Sequence, residues 1–232
     1  SSPLPYHPYL NAEQQSSDMV DALTAARKAM KDLGTSDSGK LFIAGYSQGG
    51  HVAMATHRAL QSAGQTVTAS APMSGPYALG AFGDAVYYGN VNLGATLFTP
   101  LLSTSYQKAY GDIYSKTTDL YEAAYAEGID TLLPGKTGMA ELFSQGKLPQ
   151  TALFSSTPPV PSMAAISPPT APAEQAALFA LGFGANHLVT NAARLAYLQD
   201  AMANPDGVVP AVTNGAPAAA PVHPLRQAFR KN

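Results

Sequence analysis

The stretch Lys40-Leu41-Phe42-Ile43-Ala44-Gly45-Tyr46-Ser47-Gln48-Gly49-Gly50-His51-Val52-Ala53-Met54-Ala55-Thr56-His57-Arg58-Ala59-Leu60 decides the fold. Lys40 to Ala44 is a compact, mostly apolar run between Gly39 and Gly45, which reads as a fully buried strand of a parallel sheet. A helix is expected from about His51 to Ala63, closed by Gly64. Between them, Gly45-Tyr46-Ser47-Gln48-Gly49 matches G-x-S-x-G, a sharp strand-to-helix turn. Ser47 would sit there with unfavourable backbone angles. Gly45 and Gly49 would have to approach each other closely, so both positions are expected to need glycine. The turn would lift the Ser47 hydroxyl to the N-terminus of the helix. That end favours a developing oxyanion, to which the Gln48 N–H would donate. The pattern makes Ser47 a candidate nucleophile; a Gly-rich turn that happens to hold a serine is the competing reading.

Outward from this stretch, the pattern is helix, strand, helix, strand. Asn11 can cap a helix in which Met19, Val20, Leu23, Ala26, Met30 and Leu33 line one face, with Gly34 just past the end. Val67 to Met73 reads as a second buried strand, ending in the loop signal Ser74-Gly75-Pro76. Short connections in this order predict an α/β core with a parallel sheet and right-handed crossovers.

From Pro76 the pattern becomes mostly helical. The apolar run 93–103 is interrupted by Pro100, and Tyr106, Tyr110, Tyr114 and Tyr121 lie near a helical repeat broken by Gly111. Residues 157–172 hold six Pro and read as an extended linker or hinge. Glu174 to Leu181 and His187 to Met202 are further expected helices, and 204–224 is again rich in Pro, Ala and Gly. The expected organisation is a core segment over 1–75, a mostly helical insertion over 76–205, and a return segment over 206–232.

Composition removes several function classes. The 232 residues carry 13 Lys+Arg against 15 Asp+Glu, a formal charge of -2, with 12% charged and 46% hydrophobic residues. The charged fraction is about half the usual quarter. No basic stripe can neutralise phosphates, so a nucleic-acid partner is excluded, as is a polybasic membrane anchor. No apolar run approaches the ~20 residues of a transmembrane segment. The absence of Cys removes a disulfide framework, a Cys-ligated zinc site and a thiol nucleophile. Neither an H-E-x-x-H pattern nor a carboxylate cluster with metal spacing occurs, so no metal site is expected, and acyl transfer through Ser47 would need no metal and no organic cofactor. The length suits one domain, or one domain with a large insertion. A chain that opens at Ser1, with neither an initiator Met nor a signal peptide, reads as processed, trimmed or excised.

The segments YHPYLNAEQQSSDMVDALTAARKA (6–29), LFIAGYSQGGHVAMATHRAL (41–60), ASAPMSGPYAL (69–79) and HPLRQAFRKN (223–232) together resemble bacterial secreted lipases and esterases of the α/β-hydrolase fold. The resemblance is clear over 6–79 and thinner beyond. It implies part of an α/β-hydrolase parallel sheet, a large helical lid or cap over an acyl pocket, and hydrolysis of small-molecule or lipid esters by a Ser-His-Asp type triad through an acyl-enzyme. It also implies a secreted or periplasmic location. Wall or polysaccharide esters are an alternative substrate class, and a non-catalytic hydrolase-fold binding fragment is an alternative function.

The chain departs from that family in one respect. A hydrolase of this fold runs Ser, then acid, then His, each on a loop after a later strand, and takes a second oxyanion donor from a loop before the elbow. One helix and no strand precede the expected strand at 40–44, and no apolar strand follows the helical region. The triad acid and His are therefore expected on other segments of the same enzyme, outside this chain. Within it, Asp206 and His223 have the right order, but Asp206 lies in an Asn-Pro-Asp-Gly turn. His51 and His57 are expected to pack or face solvent, pointing away from the elbow oxygen; His187 is polar decoration, and His7 is expected to fix its loop by a hydrogen bond. Tyr106, Tyr110 and Tyr114 read as packing residues. Asp112, Asp119, Glu122 and Glu127 are expected to face solvent. Gly135-Lys136-Thr137 has the end of a phosphate loop, but Asp130 stands where that motif needs glycine.

Overall fold

Asn11 starts the first helix as its side chain predicts: its Oδ1 accepts from the Gln14 N–H at 3.0 Å, satisfying a backbone donor of the first turn. In the computed structural model, which describes residues 4–206 and 220–232, this helix, α1, runs Ala12–Asp32. Gly34 follows with φ +66°, a conformation that costs glycine least. Strand β1 (Phe42–Tyr46), helix α2 (Gln48–Ser62) and strand β2 (Ala69–Met73) complete the first of two units, residues up to Ala78 together with Asn232. The strands pair in parallel with Phe42 opposite Ala69 and Tyr46 opposite Met73, and α2 is their crossover. Gly64, at φ +71°, ends α2 at the expected place.

The strands are not fully buried, contrary to the reading of 40–44 and 67–73. Burial alternates along both. Ile43, Gly45, Ser70 and Pro72 lie on the more covered face. Phe42 and Tyr46 on the other face are 66% and 70% exposed, and Met73 is 48% exposed. The period of two makes one face pack while the other is uncovered among the described residues. The strand also begins later than the apolar run suggests, because ladder pairing rather than hydrophobicity sets its ends, and it carries the chain to Tyr46. The expected apolar face of α1 is likewise incompletely covered, with Met19, Met30 and Leu33 exposed.

The second unit, Leu79–Lys231, is helical. Its described α-helices are α3 (Leu79–Tyr87), α4 (Ala95–Tyr110), α5 (Ala123–Ala126), α6 (Ile129–Leu132), α7 (Met139–Ser144), α8 (Ala173–Ala180), α9 (Asn191–Ala203) and α10 (Pro224–Lys231). Among its described residues, strand pairing is confined to isolated bridges such as Tyr121 with Val189 and Phe154 with Phe183. Pro100 does not break α4; the helix continues through it to Gly111, whose φ of +79° ends it before Tyr114. The expected helix at 187 starts only at Asn191, where Thr190 caps it by accepting from the Ala193 N–H.

Aromatic rings fill this unit's interior. Tyr87 and Tyr197 stack with centroids 3.6 Å apart, and Phe154 and Phe183 pack at 5.9 Å. Arg194 is buried between the last two, its guanidinium 4.5 and 5.1 Å from their ring centres. It donates to Tyr87 O, Ser167 Oγ and Ile166 O. Burial lowers its pKa to about 10, with the Tyr87 side chain opposing. Those bonds overturn the hinge reading of 157–172: Met163 and Ser167 are buried there, and a side chain from α9 fastens the turn. Pro-rich composition marks a segment that cannot join a ladder, not one that is loose.

Arg226 of α10 is the unit's other buried cation. Its Nε and Nη2 grip Asp84 of α3 at 2.9 and 2.8 Å, and Nη1 donates to Asp200 of α9 at 2.9 Å. Tyr197 donates to Asp84 at 2.8 Å. Burial alone would raise the Asp200 pKa, but Arg226, the Val222 and His223 N–H groups and Asn204 hold it at about 2. The cluster ties three helices at one point. The C-terminal part of the expected return segment is thus α10; residues 207–219 of it lie outside the described residues.

Candidate functional site

The Gly45–Gly50 turn is a sharp strand-to-helix turn with Ser47 at its apex. Ser47 has φ 55° and ψ -121°, outside the broad regions that L-residues adopt. A ladder-like bond from its N–H to Met73 O at 3.0 Å holds it there, and its own carbonyl accepts from Gly50 and His51 to start α2. The side chain is exposed and makes no capping bond. Among the described residues its hydroxyl has no hydrogen-bond partner. The Gln48 N–H is the first donor of α2, and no described residue accepts from it, so it is open to an incoming oxygen.

The glycines divide by role. A Cβ on Gly45 would stand 1.9 Å from Gly49 O, so position 45 admits no side chain. A Cβ on Gly49 would meet nothing within 4 Å, which corrects the expectation that both must be glycine. The close approach is between the α-carbon side of Gly45 and the carbonyl of Gly49, and only the former would carry a clashing atom. Gly50 is the second position without room: its Cβ would lie 2.6 Å from Met73 O. Sequence reasoning passed over it because G-x-S-x-G ends one residue earlier. Tyr46, in the motif's second position, ends β1 on the uncovered face.

The histidines occupy other roles. The Gln48 side-chain amide donates to His7 Nε2 at 3.1 Å, which secures the entry loop as expected and leaves the His7 proton on Nδ1. His57 Nδ1 bonds Ser70 Oγ at 2.9 Å, joining α2 to β2. His51 is buried, and burial lowers its pKa. In the helical unit His187 bonds Glu122 and Ala185 O. His223 Nδ1 accepts from the Leu225 N–H at 3.3 Å, and its pKa falls to about 4, burial being the main cause with Arg226 adding. Asp206 lies against Gly80, whose Cβ would meet its carboxylate at 2.3 Å. The carboxylate that holds the His223 backbone is Asp200, not Asp206. The other residues weighed from sequence also have structural places. Tyr106 is buried against Tyr110 and Phe229, Tyr114 packs on Tyr121, and Asp119 accepts from the Ser115 and Lys116 N–H groups. No group of three or more metal-ligating side chains occurs among the described residues. Nor is any described helix long and apolar enough to cross a membrane.

No family profile and no curated protein matches the chain. Solved structures do. A rice cell wall degrading esterase, LipA from Xanthomonas oryzae, superposes with a TM-score of 0.68 at 24% identity over 99% of this chain and 48% of its own. A second crystal structure of that esterase gives 0.66 at 25% identity over 98% and 48%. A Legionella pneumophila protein described only as a hydrolase gives 0.57 at 28% identity over 63% of this chain and 39% of its own. The chain therefore has the fold of part of these hydrolases, mostly helical with a small parallel sheet, and spans about half the length of the esterase structures it matches.

Proposed function

We propose that this protein is a serine carboxylic-ester hydrolase, with Ser47 as nucleophile, the Gln48 N–H as one oxyanion donor, and Gly45, Tyr46 and Gly49 forming the elbow. The observation that carries this reading is the backbone of Ser47, held at φ 55° with an exposed, unbonded hydroxyl at the start of α2. Strain at an exposed serine has no packing benefit, and it is the device by which an elbow presents its oxygen. In this mechanism Ser47 Oγ attacks the ester carbonyl while a histidine takes its proton. The carbonyl oxygen becomes an oxyanion facing the Gln48 N–H. The tetrahedral intermediate collapses, expelling the alcohol protonated by the same histidine, and water then attacks the acyl-enzyme to release the acid. No described histidine bonds the Ser47 hydroxyl, so this reading leaves the base and its acid unassigned. The esterase neighbour's action on rice cell wall favours a wall ester over a lipid ester, and with it a secreted or periplasmic protein. The mostly helical residues 76–205 are proposed as a lid or cap insertion.

That no described histidine bonds Ser47 also favours a second reading, a hydrolase-fold protein that binds without turnover. A fluorophosphonate serine probe separates the two, because only an activated serine is phosphonylated. Adduct mass on the peptide containing Ser47, absent from Ser47→Ala, supports the hydrolase. An unlabelled protein that turns over no p-nitrophenyl ester overturns it.

A further inference from the structure

His51 is 3% exposed, and neither ring nitrogen makes a hydrogen bond among the described residues. A neutral imidazole always has one donor and one acceptor, and leaving them buried and unmade is costly. The ring lines a cavity of about 80 Å³ together with Met54, Ala55, Arg58, Tyr77 and Asn232. This volume exceeds what one buried water needs. Positions 51, 54, 55 and 58 recur at helical spacing, so one face of α2 forms the wall. Arg58 makes no ion pair and Tyr77 no side-chain hydrogen bond among the described residues. Tyr77 lies over the two glycines that leave room for it: a Cβ on Gly75 would come 2.6 Å from its ring, and one on Gly50 3.0 Å from its hydroxyl.

A buried imidazole without partners and two exposed donors, Arg58 and Tyr77, thus line one small cavity. We infer that this cavity binds a small carboxylate anion. Arg58 supplies a positive charge and the planar fork that suits a carboxylate. His51 and Tyr77 supply a donor each, and Met54 and Ala55 give an apolar wall for a short alkyl tail. The surroundings favour an anion that arrives already charged. Burial and Arg58 both disfavour the imidazolium, while the Asn232 backbone favours it without reaching hydrogen-bond geometry. One positive charge beside a neutral ring matches a monoanion better than a phosphate dianion. The site is independent of whether Ser47 is a nucleophile.

The test is an NMR titration of the whole chain with sodium acetate, reading the His51 ring and Arg58 Nε–H signals, with sodium chloride at equal ionic strength as reference. Saturable shifts with acetate and none with chloride are expected. Arg58→Gln, at an exposed position without an ion pair, should leave the urea midpoint unchanged and weaken acetate binding about tenfold, the loss of one charge-assisted bond. His51→Gln should weaken it as well. Non-saturating shifts, equal shifts with chloride, or unchanged acetate affinity in Arg58→Gln would each overturn the proposal. Tighter binding of inorganic phosphate than of acetate would overturn the carboxylate assignment.

Discussion

Substituting alanine separately at Gly45 and Gly49 tests the elbow geometry without touching Ser47. At position 45 the new methyl would stand 1.9 Å from Gly49 O and 2.3 Å from Gly49 C. Real carbons keep at least about 3 Å from a carbonyl oxygen, so the end of β1 and the first turn of α2 would have to separate by roughly 1 Å. Both sides of the contact are backbone, fixed by the β1–β2 ladder and by the Ser47 bond to Met73 O. No rotamer change can relieve it. The cost should exceed the ~1–3 kcal/mol of ordinary overpacking and reach about 4 kcal/mol. At position 49 the methyl meets nothing, and glycine-to-alanine near a helix start should be neutral or stabilise by up to ~1 kcal/mol. Urea unfolding followed by circular dichroism reads both midpoints, and the fluorophosphonate rate reads the serine. Gly45→Ala should unfold at lower urea and lose labelling; Gly49→Ala should keep both. Equal damage at the two positions, or a harmless Gly45→Ala, would refute the account of the turn.

Further outcomes follow from the same geometry. Ser47→Gly should remove both labelling and the cost of φ 55°, raising stability by roughly 1 kcal/mol, whereas Ser47→Ala should remove labelling with no such gain; urea midpoints distinguish them. Arg226→Met should leave Asp84 and Asp200 as unpaired buried charges and cost about 3–5 kcal/mol, read as a lowered midpoint. Acid should destabilise the helical unit in two steps. The folded pKa of His223, about 4, lies below its ordinary 6.5. The unfolded chain therefore takes up the proton first. Stability is full above pH 6.5 and falls by about 3 kcal/mol as pH drops towards 4. Asp200, at about 2 against an ordinary 3.8, adds a further loss of about 2 kcal/mol as pH falls from 4 to 2. His223→Gln should flatten the first step in a pH series of urea midpoints.

What the sequence determined by itself is local. Asn11, Gly34 and Gly64 each act through backbone groups within a few residues, so the bounds of α1 and the end of α2 could be read from residue type. The strand-to-helix turn at Ser47 was legible for the same reason: Gly45 and Gly49 meet across one turn, and a strand before it with a helix after it showed through residue pattern. Tertiary structure decided whatever depends on distant partners. Arg226 meets Asp84 across 142 positions, and no periodicity announces that pair. The 157–172 segment looked like a hinge because nothing in it signals that Arg194 will bond Ser167 and Ile166. The strands looked fully buried because an apolar run does not say how many of its faces will be covered. Phe42, Tyr46 and Met73 show that only one was. His51 read as a packing or surface residue, and only the fold decides that it is buried, without partners, and beside Arg58 and Tyr77. Short-range sterics and capping are encoded in neighbours, whereas burial, charge pairing and cavities arise only when remote segments meet.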